Sequence, residues 1–130
     1  MKKNILLSVV IPLYKAEPYI EKCLQSVLTQ SYSNLEIIVV NDGSPDNSTD
    51  IVRTYQKKDA RIKLIDKKNE GSAIARNVGI AACSGEYIHF LDSDDYVEAF
   101  AYEKMIAKAL EDNADIVRGS AIRSSLPRCQ

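Results

Sequence analysis

Apolar and polar residues alternate in blocks along this chain, and the period changes from block to block. From Ile5 to Leu13 the residues are almost continuously apolar and rich in β-branched side chains, which predicts a strand buried on both faces. Pro12 lacks an N–H, so pairing is expected to stop near it. Between Pro18 and Gln30, Tyr19, Ile20, Cys23, Leu24, Val27 and Leu28 recur at helical spacing, with Pro18 in the first turn. Leu35 to Val40 predicts a second buried strand, broken by the turn sequence Asn41-Asp42-Gly43-Ser44-Pro45-Asp46. Asn47 or Ser48 can cap a helix from about Thr49 to Lys58, with Ile51, Val52 and Tyr55 inward. Arg61 to Asp66 alternates and predicts a shorter strand suited to a sheet edge.

The second half repeats the scheme. Asn69-Glu70-Gly71-Ser72 is a loop ending in a cap, and Ala73 to Ala82 is a small-residue helix suited to close packing on a sheet. Ser84-Gly85 is a turn, Tyr87 to Leu91 a fourth strand, Ala99 to Leu110 a helix, and Asp115 to Arg118 a candidate fifth strand. Strands alternating with helices imply an α/β domain with a parallel sheet and right-handed crossovers. The expected domain is residues 1–118, followed by an irregular tail at 119–130 where periodicity is lost.

Composition narrows this little. The 130 residues suit one domain, and 17 basic against 18 acidic residues leave a net charge of −1, which excludes a broad nucleic-acid surface. Cys23, Cys83 and Cys129 show no C-x-x-C spacing and fit a reducing compartment, and Cys23 and Cys83, both in helical patterns, fit core packing. No apolar run is long enough to span a bilayer, and Ser8 and Pro12 interrupt the signal-like start. The expected location is therefore cytoplasmic, with a peripheral place at the inner membrane face also compatible.

In an open parallel sheet, ligands bind beyond the carboxyl ends of the strands. Those ends carry Tyr14-Lys15, Asn41-Asp42-Gly43-Ser44, Asp66-Lys67 and Asp92-Ser93-Asp94-Asp95. Three carboxylates within four residues repel unless a cation lies among them. Hard oxygen ligands suit Mg²⁺ or Mn²⁺, whose shell is readily completed by phosphate oxygens. The other interpretation is a solvated turn with Asp95 capping the next helix.

Asp42 could accept hydrogen bonds from a base or ribose, or form an Asx turn. Tyr14 could stack on a nucleobase or lie on the sheet edge. Arg76 lies one turn into a helix whose N-terminus suits anions, though a surface arginine is the simpler account. His89, the only histidine, reads as a packed strand residue, and the basic stretch Lys57–Lys68 as a solvated face. No G-x-G-x-x-G follows the first strand and no P-loop lysine motif is present, against NAD binding and P-loop chemistry.

Five segments occur in the order and spacing of one family. They are Ser8-Val9-Val10-Ile11-Pro12-Leu13-Tyr14, the stretch Ser26 to Tyr32, Glu36 to Ser44 ending Asn41-Asp42-Gly43-Ser44, Asn69 to Asn77, and Gly85 to Asp95. Over about residues 5 to 118 the chain resembles the family 2 glycosyltransferases of GT-A fold. The resemblance implies a Rossmann-like, three-layer αβα architecture with a mainly parallel sheet, of which this chain is the nucleotide-binding half. It implies that Pro12, Tyr14 and Asp42 contact the nucleoside, usually uridine, and that Arg76 lies near the nucleotide or its phosphates. The cluster Asp92-Ser93-Asp94-Asp95 resembles the family's D-x-D region, so Asp94 is expected at the substrate and Asp95, Asp94 and Asp92, in that order, at a Mn²⁺ or Mg²⁺.

The implied reaction is inverting sugar transfer from a nucleotide-sugar donor to an acceptor glycan or lipid-linked sugar, in cell-surface polysaccharide synthesis. A homo-oligomer is compatible. The catalytic base of such enzymes lies well downstream of the acidic motif, so it is expected beyond residue 130, and Ser120 to Gln130 does not resemble the family's continuation. The alternative is a truncated, catalytically inactive nucleotide-binding or interaction module. A receiver-like phosphoacceptor domain would need an acidic pair after the first strand, where Tyr14-Lys15 stands.

Overall fold

The computed structural model describes residues 5–112. They form β1 (Leu7–Leu13), α1 (Ile20–Leu28), β2 (Leu35–Asp42), α2 (Ser48–Lys58), β3 (Ile62–Lys67), α3 (Ser72–Ala82), β4 (Tyr87–Phe90) and α4 (Ala101–Asp112). The four strands make one parallel sheet in the order β3-β2-β1-β4. The predicted alternation is therefore present, and β3 lies at an edge as its short alternating sequence suggests. Asp115–Arg118, the candidate fifth strand, lies outside the described residues, as does the proposed boundary at residue 118.

β1, β2 and β3 step outward in one direction, and β4 then returns to the far side of β1. With right-handed crossovers, a reversal of direction sends the connecting helix to the opposite face of the sheet. The two apolar layers agree. Leu7, Val9, Ile11 and Leu13 of β1 pack with Ile20, Leu24 and Val27 of α1, Val52 of α2, and Tyr102 and Ile106 of α4. On the other face Val10, Ile38 and Val40 meet Ala75 of α3. Because β1 and β2 are covered on both sides, their sequences are continuous apolar runs rather than alternating ones.

Pro12 does not end β1. The strand stays in register with β2 through Leu13↔Asn41. Pairing with β4, however, stops at Val10↔Phe90. The Val10 carbonyl accepts the Leu91 N–H (3.0 Å), so every second residue of β1, Pro12 included, turns its backbone toward β4. The missing donor falls where the β4 ladder has already ended, and the β1–β2 ladder loses nothing.

The cysteines fit the packed interpretation in part: Cys23 is buried and Cys83 half-buried. His89 is packed too, its Nδ1 3.0 Å from the Tyr102 hydroxyl with the rings edge to face. The basic stretch is a solvated face at Lys57, Lys58, Lys63 and Lys68, which are exposed, but not at its other two basic residues. Arg61 donates to the carbonyls of Ser33 (2.9 Å) and Leu28 (3.3 Å), and Lys67 is only 11% exposed.

Small residues in α3 permit its close approach. A Cβ on Gly79 would lie 2.4 Å from Val10 Cγ1, and Val10 is a buried, β-branched side chain in the central strand with no room to turn. Gly79→Ala is expected to destabilise the fold by about 2 kcal/mol through overpacking, although alanine is the better helix former. Urea denaturation at neutral pH measures this, and a stabilised variant would show that α3 can move away without cost.

Candidate functional site

The reversal of strand order puts β1 and β4 side by side with their carboxyl ends leading into different loops, and a cleft opens there. It has a volume of about 530 Å³ and is walled by the β1–α1 loop, the end of β2, the start of α3 and the loop after β4. Of the residues expected at a substrate, Pro12, Tyr14, Asp42 and Asp94 line it; Arg76 does not, but it ion-pairs with Asp92, which does.

β4 ends at Phe90, and buried Leu91 anchors the loop that follows. The Asp95 N–H donates to the Asp92 carbonyl (2.9 Å), folding the segment into a turn. This brings carboxylate oxygens of Asp92, Asp94 and Asp95 within 4.8 Å of one another. The three differ in setting: Asp94 is exposed, Asp92 intermediate and Asp95 4% exposed. Asp92 and Asp94 line the cleft, whereas Asp95 is not on its surface. An all-oxygen set of closely spaced carboxylates, two of them open to a cleft, fits a hard divalent cation. Their negative field reaches Cys23, whose thiol donates to the Asp92 carbonyl (3.7 Å). Burial pushes the Cys23 thiol up, and Asp95, Asp94 and Asp92 push it further.

Asp42, 4% exposed, holds the loop leading into α3. Its Oδ1 accepts the Glu70 N–H (2.9 Å) and the Lys67 ammonium (3.1 Å), and its Oδ2 accepts the Gly71 N–H (3.0 Å). Burial pushes its carboxyl up, but the hydrogen bonds from Glu70, Lys67 and Gly71 outweigh that and leave it below its ordinary value. Lys67 also pairs with Glu70 (2.9 Å). Neither Lys67 nor Asn69, which lines the cleft, is singled out by the sequence as a site residue; the signals are the place of Lys67 at a strand ending and of Asn69 at the head of a matching segment. Gly43, with φ +70°, lets these loops meet, since a Cβ there would lie 2.7 Å from the Asn69 nitrogen.

The opposite wall rises from β1. Tyr14 is 43% exposed and Tyr19 52%, both lining the cleft. Lys15 has φ 51°, the one non-glycine left-handed residue among those described, and its ammonium lies 5.4 Å from the Tyr14 ring centroid. Arg76 Nη2 is 3.2 Å from Asp92 Oδ1, with the side chains 39% and 34% exposed. α3 thus carries an arginine to the rim of the acidic cluster, a placement that its one-turn offset from Ser72 anticipates.

A parallel sheet with an acidic, tyrosine-walled cleft at its strand reversal defines a doubly wound α/β domain with a ligand cleft at its switch point. The chain belongs to glycosyl transferase family 2, which matches it over residues 8–128. It is 46% identical over 112 residues to the uncharacterized glycosyltransferase EpsJ of Bacillus subtilis, covering 86% of this chain and 33% of that protein. Among solved structures it resembles S. aureus TarS in complex with UDP-GlcNAc, with a TM-score of 0.79 at 32% identity, over 84% of this chain and 32% of that one. It also resembles the mannosyltransferase PcManGT of Pyrobaculum calidifontis in complex with GDP-Man and Mn²⁺, with a TM-score of 0.70 at 26% identity, over 81% and 31%. The sequence therefore spans about a third of the length of these relatives. The architecture is that of GT-A glycosyltransferases. Among the described residues no helix is long and apolar enough to cross a membrane.

Proposed function

We propose that this chain is the donor-binding part of an inverting glycosyltransferase that holds a UDP-sugar in the cleft through a divalent cation, Mn²⁺ or Mg²⁺, for transfer to an acceptor hydroxyl in polysaccharide synthesis. The observation that carries this is the gathering of Asp92, Asp94 and Asp95 oxygens within 4.8 Å beside a cleft at the strand reversal. Asp94 and Asp92 would hold the cation from the cleft side, and buried Asp95, with an oxygen within 4.8 Å of theirs, would add its charge. When bound, the cation neutralises the leaving diphosphate, so that the departing group needs no proton.

The chain's own residues do the rest. Tyr14 offers an exposed ring to the base. Asp42 Oδ2 accepts one N–H from Gly71 and keeps a second lone pair for the imide N–H of uracil. Arg76 balances Asp92 at the rim and is within reach of phosphate charge. The carboxylates on the described cleft surface are Asp42, Asp92 and Asp94; all have donor-side roles, and the general base for the acceptor is assigned to none of them.

The test is calorimetric titration of the 130-residue chain with uridine diphosphate, with Mn²⁺ and with chelator. Binding is expected to tighten at least ~10-fold with Mn²⁺, about 1.4 kcal/mol. Equal affinity in both conditions would remove the metal from the proposal. Incubation with UDP-sugars and acceptors tests the module interpretation, which predicts binding without turnover: transfer by the chain overturns it.

A further inference from the structure

The turn after β2 does more than end a strand. Ser44 Oγ accepts the Lys15 N–H (2.8 Å), and Asp46 Oδ2 accepts the Glu17 N–H (3.2 Å). In return, Glu17 Oε1 accepts the Asn47 N–H (3.2 Å). Asp46 Oδ1 accepts the Ser44 hydroxyl (2.6 Å), the Ser48 N–H (3.1 Å) and the Ser48 hydroxyl. It thereby serves as the cap of α2, whose N-cap residue Asn47 makes no side-chain cap bond. The Ser44 N–H is held by Asn41 Oδ1 (3.0 Å), and Asn41 Nδ2 donates to Asp66 Oδ1 (2.9 Å), linking the turn to the end of β3. Neither Ser44 nor Asp46 lines the cleft.

The segment so clamped has a distinct conformation. Lys15 is held at φ 51°, which costs a lysine roughly 1 kcal/mol and persists only where the surroundings impose it. Ser44 and Asp46 supply that imposition from the turn after β2. On either side of the clamped amides stand Tyr14 and Tyr19, the aromatic wall of the cleft. Burial pushes the Asp46 carboxyl up, but its bonds from Ser44, Ser48 and Glu17 bring it down to about 2, so it is an acceptor at every working pH.

We propose that Asp46, with Ser44, is a positioning residue for the donor site: it fixes the Tyr14–Glu17 loop in its left-handed turn and thereby sets the tyrosine wall against which the nucleoside is held. This rests on the assignment of Tyr14 to the nucleoside, but the hold on the loop can be measured without any ligand.

Two readouts test it. In nucleotide-free protein, amide exchange of Lys15 and Glu17 is expected to speed up about 10-fold or more in Asp46→Ala, with Asp46→Asn retaining part of the protection and the amides of β2 unchanged. Unchanged Lys15 and Glu17 exchange would overturn the proposal, as would equal acceleration throughout the chain, because then Asp46 is merely structural. The second readout is a double-mutant cycle on uridine diphosphate affinity. Asp46→Ala and Tyr14→Ala are each expected to weaken binding about 10-fold, and the double variant no more than either alone, because one acts through the other. Additive losses would overturn the positioning role while leaving the nucleoside contact intact. If Tyr14→Ala alone has no effect, the positioning of the wall for nucleoside falls with it. If the wild-type chain does not bind uridine diphosphate at all, the donor-site proposal fails, and the exchange experiment alone decides whether Asp46 holds the loop.

Discussion

Replacing Glu36 with alanine is expected to destabilise the fold by about 3 kcal/mol, a large part of the margin of a domain this size. Glu36 is 5% exposed at the start of β2. Its Oε1 accepts the Ser8 hydroxyl (2.7 Å) and the Ser84 N–H (2.8 Å). Its Oε2 accepts the Lys63 ammonium (2.6 Å) and the Ser84 hydroxyl (3.0 Å). Ser8 Oγ in turn accepts the Gly85 N–H (2.9 Å). One carboxylate therefore ties β1, β3 and the α3–β4 connection to β2, and truncation strands several donors together.

The pH dependence follows from the same contacts. Burial pushes the Glu36 carboxyl up, but the bonds from Lys63, Ser84 and Ser8 bring it down from 4.5 to about 2. A group whose folded value lies below its unfolded one stabilises fully above the unfolded value and loses that contribution as pH falls toward the folded value. Stability is thus expected to decline between about pH 4.5 and 2, and Glu36→Gln to flatten that part of the curve. Urea midpoints across this range measure both effects. A loss below ~1 kcal/mol for the alanine variant would mean that Ser8 and Ser84 find other partners.

In saturating Mn²⁺, Asp94→Ala is expected to weaken uridine diphosphate binding about 100-fold, near 3 kcal/mol. With chelator the variant should match the wild type, and its metal-free stability should hold or rise, because one of three crowded carboxylates has gone. Asp95→Ala separates the roles. Being 4% exposed within the turn, it is expected to lower the melting temperature as well as the affinity. Calorimetry paired with thermal melts of both variants gives the comparison. An Asp94→Ala variant that still binds in a Mn²⁺-dependent way would move the metal to Asp95, the residue ranked first from the sequence.

The sheet was legible because its cause is local. Nearly unbroken apolar runs at Ile5–Leu13 and Leu35–Val40 fit strands covered on both sides, and the acidic cluster announces itself by density. Bonds between loops far apart in sequence were not legible. Asp46 looks like one more turn residue until Glu17, 29 positions away, donates to it. Lys67 belongs to a basic stretch that composition assigns to solvent, yet Asp42 draws it in. Glu36 sits in an otherwise apolar strand, and what tolerates it there is a serine 48 positions on. Element boundaries shifted for similar reasons: Ser48 begins α2 because Asp46 satisfies its amide.

The two faces of the sheet are unequally defended. The face under α1, α2 and α4 is sealed by a broad apolar layer, whereas α3 is held by a smaller one, Ala75 with Val10, Ile38 and Val40, flanked by half-buried Ile65, Val78 and Cys83. Loss of α3 packing is therefore expected to cost less than loss of the opposite layer. Since this helix brings Arg76 and the Asn69–Ser72 edge to the cleft, such breathing would dismantle the binding surface before the rest of the domain responds. An occupant touching both walls would act as a splint, lending its own adhesion to the less secure layer of the protein.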